Sequence, residues 1–220
     1  MKTIDQETFL FLKGIKQNNN RDWFAENKDR YDSARLDMIN FITSLIQEIA
    51  VIDLNIPPFL EGKKCLFRIY RDVRFSKNKA PYKTWFAAGI SKNPRKLQGP
   101  EYYLHIEPGN NFFGIGYWRP EKNHLHAIRQ EIDYNTDEFL TVLEDAQLTK
   151  KDLEREDSLK RAPKGYDPDH PHIDLIKLKS YLVSFKIDDN LFHDGSAMAY
   201  IKQKVAEVYP FKVFLERAIS

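Results

Sequence analysis

Between Arg68 and Lys83 the chain reads Arg-Ile-Tyr-Arg-Asp-Val-Arg-Phe-Ser-Lys-Asn-Lys-Ala-Pro-Tyr-Lys, placing six cations within sixteen residues. Arg68, Arg71 and Arg74 offer planar forks that grip carboxylate or phosphate with two parallel bonds, and a loop adds backbone amides as further donors. The chemistry is that of an anion site. Pro81 fixes its own φ and pushes Ala80 towards extended backbone, which presents Tyr82 and Lys83 rigidly. Lys77 and Lys79 read as solvated loop charges, so Arg68, Arg71, Arg74, Tyr82 and Lys83 are the expected ligand-binding residues. Asp72, the one acid in the segment, either orients a neighbouring arginine or transfers a proton.

The segment stands out against the rest of the chain. Residues 61–100 carry 11 Lys/Arg against 2 Asp/Glu, a net of +9, whereas residues 1–60 and 101–220 are net −2 and −5. A local excess of this size favours phosphate, carboxylate, nucleic acid or an acidic protein face, unless acids elsewhere in the fold neutralise it. A nucleic-acid ligand would bring Tyr70, Tyr82 and Trp85 into play as stacking surfaces.

A second constellation lies at Tyr103, His105 and Glu107, which alternate onto one face of a strand opposite Tyr102, Leu104 and Ile106. His105 beside Glu107 is an acid/base pair, part of a metal shell, or a satisfied cross-strand contact. Gly114 and Gly116 share a face of the next strand and leave room for a helix or a ligand. Arg161, Lys164 and Gly165 form a basic turn that can join the central segment. His124 and His126 are two apart on a helix, and His170 and His172 sit in a Pro-interrupted loop, so no metal site is expected. Neither a Gly-x-Ser-x-Gly elbow nor a phosphate loop is present, and no cofactor is expected.

Elements must position these residues. Thr3 and Gln6 have capping-box spacing for a helix over 4–16. Asn20 can cap a helix of about 28 residues, roughly 40 Å long, whose stripe is Phe24, Tyr31, Met38, Ile42, Leu45 and Ile49. From Cys65 the period becomes two, which predicts a strand to Tyr70 with Cys65 on the core side, and further strands follow at 84–90, 101–107 and 112–118. Pro108-Gly-Asn-Asn111 makes the last two a hairpin. Helices are expected at 121–132 and 136–146, the latter capped by Asn135 or Thr136, then an exposed charged stretch at 149–160 and a short helix near Leu175 and Leu178. A strand at 180–187 precedes a helix capped by Asp194, which Pro210 divides from a final segment.

The fold expected is α+β: a central antiparallel meander braced by a long N-terminal helix and C-terminal helices. A single domain spans 1–220, helical over 1–56, with the sheet core at 63–118 and a mixed region at 121–220. No apolar run is long enough to span a bilayer, and Asp5 and Glu7 interrupt any leader-like stripe. With one cysteine, Cys65, the chain is expected in the cytoplasm, with no membrane partner.

The central segment resembles the signature of an uncharacterised family called domain of unknown function 2461. The likeness extends over nearly the whole chain and includes Asn19-Asn-Arg-Asp-Trp-Phe24, Tyr102-Tyr-Leu-His-Ile-Glu-Pro108, Gly114-Ile-Gly116 and Arg161-Ala-Pro-Lys-Gly-Tyr-Asp-Pro-Asp-His-Pro171. Ala80 stands where Thr is common. The resemblance implies that these segments belong together and carries no mechanism. Three functions follow from the residues themselves: binding of an anionic small molecule or nucleic acid, catalysis on a phosphorylated or carboxylated substrate by Asp72, His105 or Glu107, and docking on an acidic protein.

Overall fold

The computed structural model describes residues 2–94 and 98–220. In chain order its elements are α1 (Gln6–Gln17), α2 (Arg21–Glu26), α3 (Lys28–Ala50), α4 (Gly62–Cys65), β1 (Phe86–Ile90), β2 (Glu101–Ile106), β3 (Asn111–Tyr117), α5 (Lys122–Tyr134), α6 (Thr136–Asp145), α7 (Ile173–Ile176), β4 (Tyr181–Ile187), α8 (Asp189–Asp194) and α9 (Ala197–Ala218). The strands form one antiparallel meander in the order β1-β2-β3-β4, with helices at both ends of the chain, so the fold is α+β. No helix among the described residues is long and apolar enough to cross a membrane. Two compact units alternate along the sequence. Met1–Arg95, Tyr103–Phe113 and Lys186–Lys202 make the first, and Lys96–Tyr102, Gly114–Phe185 and Gln203–Ser220 the second.

In the first unit the expected stripe of Phe24, Tyr31, Met38, Ile42, Leu45 and Ile49 is buried throughout. The single long helix is instead α2 followed by α3. Asn27 interrupts it, because its side-chain amide donates to the Trp23 carbonyl at 2.9 Å and its backbone leaves the helical path. Asn20 caps α2 by accepting from the Trp23 amide at 2.9 Å, and Asp5, rather than Thr3, caps α1 through the Glu7 amide. Phe11 of α1 lies against Trp23, Tyr31 and Phe86. Gly14 admits the Trp23 indole, since a Cβ there would approach it to 2.8 Å.

The strand expected from Cys65 does not form. Residues up to Cys65 are the helical turn α4, and Leu66 and Tyr70 make only isolated antiparallel bridges, to Ala88 and Tyr82. Gly62 lets α4 press against α3, where a Cβ would meet the Ile39 carbonyl at 2.5 Å, and Cys65 is fully buried as expected.

The second unit packs Phe139 of α6 against Phe211 and Phe214, and Arg217 ties Glu131 to Glu138 at 3.0 and 2.6 Å. Neither Asn135 nor Thr136 caps α6 with its side chain, for the Thr136 hydroxyl donates back to Ile132 at 2.6 Å. Within the charged 149–160 stretch Leu153 is buried and bridges Val183. Pro210 does not divide α9, which runs continuously from Ala197 to Ala218. The amide that Pro210 lacks would have bonded to Ala206, and both residues are exposed, so water can satisfy that carbonyl. Asp194 bonds the Ser196 amide at 2.8 Å but follows an unanticipated α8, which Gly195 ends in the left-handed region.

At Gly116 the missing side chain admits the neighbouring strand, not a helix. A Cβ would lie 2.2 Å from the Tyr181 carbonyl oxygen and 2.5 Å from Leu182 Cα, and φ is +136°. Gly116→Ala is therefore expected to destabilise the protein by roughly 2–4 kcal/mol, read as a fall in the denaturant midpoint.

Glu101 opens β2 with 8% exposure, and burial pushes its carboxyl up to about 7. Because the folded pKa lies above the unfolded one, the folded chain binds the extra proton and loses stability as pH rises between the two values. Unfolding free energy should drop by roughly 2–3 kcal/mol from about pH 4.5 to about pH 7.5, and Glu101→Gln should flatten that decline in urea titrations at several pH values.

Candidate functional site

The central basic segment belongs to the first unit and is the bend of an irregular antiparallel pair. Phe67 donates to Ala87 at 2.8 Å, Lys83 to Ile69 at 2.8 Å and Arg71 to Pro81 at 2.9 Å. Between the first two bonds only Arg68 intervenes on one side, whereas Thr84, Trp85 and Phe86 intervene on the other. The surplus residues form a bulge, which re-aims side chains. Phe86 is buried, while Lys83, Thr84 and Trp85 are half-buried and line a cleft. Asn19 pins the pairing from α1's far end, its side chain accepting from the Tyr82 amide and donating to the Tyr82 carbonyl, both at 3.0 Å.

The loop over 72–80 is held by its own polar groups. Arg71 donates to the Ala80 carbonyl at 2.9 Å, and Lys79 to the Val73 carbonyl at 3.0 Å. Asp72 grips Arg74 with both carboxylate oxygens, at 3.0 and 2.7 Å, and that bond holds its carboxyl below the usual range. Asn78 accepts from the Ala80 amide at 2.9 Å. Phe75 stands at the tip, 96% exposed.

Beside the loop lies a cleft of about 430 Å³ lined by Asn19, Arg71, Asp72, Asn78, Ala80, Tyr82, Lys83, Thr84 and Trp85. Lys83 supplies its cation. The Nζ sits 4.5 Å from the centre of the Trp85 ring and 5.6 Å from that of Phe67. Among the described residues it meets no carboxylate, and burial together with the nearby Arg68 holds its ammonium below the ordinary lysine value. A half-buried cation beside a like charge is unfavourable in isolation, and the aromatic faces offset only part of that cost.

Thr84 and Trp85 connect the cleft to the second constellation. The Thr84 hydroxyl donates to Glu107 at 3.3 Å, and the Trp85 ring lies 4.9 Å from His105. His105 is stacked on Phe112 at 4.7 Å, with Tyr103 beyond at 6.2 Å. Both of its ring nitrogens are closed off from solvent without a hydrogen bond, Nε2 being 3.6 Å from Glu107. Burial lowers the imidazole's pKa against the pull of Glu107. Burial alone would raise Glu107, yet the bonds from Asn110 and Lys16 hold it below the usual carboxylate range.

The expected residues thus have different positions. Lys83, Arg71, Asp72 and Tyr82 line the cleft, but Arg71 is spent on the loop and Asp72 on Arg74. Arg68 is exposed opposite the bulge, with no ion pair among the described residues. Arg74 is exposed at the loop. Tyr82 is buried, stacked on Phe24 at 4.1 Å. Arg161 is exposed within the second unit. Asn19, Thr84 and Lys16 were not anticipated as site residues, and only the family-like segment Asn19–Phe24 hints at any of them.

His124, His170 and His172 have local partners. Tyr117 shares a hydrogen bond with His124 at 2.9 Å, and His170 accepts from the His172 amide at 3.0 Å.

No curated protein and no solved structure matches the chain. Residues 7–214 match the family described as "Conserved hypothetical protein (DUF2461)", and with nearly its whole length covered the chain belongs to that family.

Proposed function

We propose that the chain binds an anionic ligand, bearing phosphate or carboxylate, in the cleft beside Lys83. One observation carries this: Lys83 is half-buried, has no carboxylate partner among the described residues and stands near the like charge of Arg68. A ligand anion supplies the counter-charge that the protein does not. Asn19 and Thr84 add polar edges, and the Trp85 ring forms an apolar wall.

Catalysis by Asp72, His105 or Glu107 is the weaker alternative. The Asp72 carboxylate is committed to Arg74, and both His105 nitrogens are shut inside an aromatic box. Asp72 lines the cleft with its carboxylate already paired, and the His105 nitrogens are closed off from it.

Pyrophosphate and citrate serve as probes in isothermal titration. Lys83→Met, which keeps the apolar stem, should weaken whichever probe binds by roughly tenfold to a hundredfold, while Lys151→Met leaves it unchanged. Since the Lys83 ammonium is held low, affinity should fall with rising pH earlier than an ordinary lysine would dictate. Wild-type affinity for both probes in Lys83→Met would remove the proposal.

A further inference from the structure

We infer that the basic loop over 72–80 is a docking tip for single-stranded nucleic acid, with Phe75 stacking on a base while the flanking cations hold phosphates. The inference rests on the anion-binding cleft at Lys83 and extends it along the loop.

Three observations lead there. Phe75 is 96% exposed, and among the described residues its ring meets the Arg74 guanidinium, 5.9 Å from its centre. One face of the ring is left for a partner. Its loop is closed by the Arg71, Asp72, Asn78 and Lys79 bonds, which lessen the ordering left for the moment of binding. Around it positive charge predominates. Arg71, Arg74, Lys77 and Lys79 stand against Asp72 alone, and Arg68 and Lys83 add two more cations at the base of the pair.

The positions connect. Arg71, Asp72, Asn78 and Ala80 belong to the loop and also line the cleft, so a strand with one phosphate at Lys83 passes directly onto the loop. Cations that track a sugar-phosphate backbone, with an aromatic ring for the bases, are the two components of sequence-tolerant single-strand binding. A duplex offers no free base face to Phe75 without unstacking. An anionic lipid surface is the less suitable partner, because a single ring supplies little apolar area for insertion into a bilayer.

The test is fluorescence anisotropy with the full chain and short labelled DNA and RNA strands of mixed sequence, repeated across a salt series. If the uncommitted cations Arg68, Lys77 and Lys83 each meet a phosphate, the slope of log affinity against log salt should be about −2. Phe75→Ala should weaken binding by between about fivefold and a hundredfold and leave the slope in place, whereas Lys77→Ala should make it shallower by about 0.7. Equal affinity in Phe75→Ala, tighter binding to phosphatidylserine vesicles than to strands, or no strand binding at low salt would each overturn the inference. Pyrophosphate titration of the same samples separates the two proposals: retained Lys83-dependent binding alongside any of those results leaves the cleft standing and removes the loop's role.

Discussion

Thr84, Trp85 and Phe86 have to be accommodated opposite the single residue Arg68, and most of the candidate site follows from where that surplus goes. Phe86 turns inward, where it meets Phe11 and Tyr31, and this fixes Lys83 and Trp85 on the open side. A slip of one residue would exchange the two faces, burying Lys83 and exposing Phe86. Asn19 opposes such a slip because its amide pairs with both backbone groups of Tyr82, acting as a one-residue piece of neighbouring strand. The Tyr82 ring stacked on Phe24 adds an apolar anchor at the same point.

The net charge of the central segment concealed a division of labour among its cations. Arg71, Arg74 and Lys79 are consumed in shaping the loop, each bonded to a carbonyl or to Asp72. Arg68, Lys77 and Lys83 have no such commitment among the described residues. A guanidinium or ammonium that fills the hydrogen-bonding needs of a loop backbone does work that a core would otherwise do, since exposed loops have few apolar contacts to hold them.

Features that depend on local chemistry were legible in the sequence. The alternation of Tyr102, Leu104 and Ile106 and the Pro108–Asn111 turn specified β2, β3 and their hairpin, and Asn20 was identifiable as a cap. Features that depend on distant partners were not. Leu66–Tyr70 alternates as a strand should, yet its partner segment bulges and breaks the ladder into isolated bridges. His105 lies on the polar side of its strand by periodicity, but Trp85 and Phe112 close over it from neighbouring segments. The pairing of Lys83 with aromatic rings instead of an acid likewise depends on Phe67, sixteen residues away. Pro210 reads as a break, and only its place on the exposed side of α9 explains why the helix continues.

The interleaving of the two compact units has a consequence for biosynthesis. The first unit is completed by residues 186–202 and the second by residues 203–220, so neither has all its parts until those late segments have been made. A chain emerging from the ribosome cannot finish one unit before starting the next, as it can when domains follow one another in sequence. Phe41 of α3 meets Phe192 of α8 across about 150 residues, a contact that forms only after the intervening chain has been made.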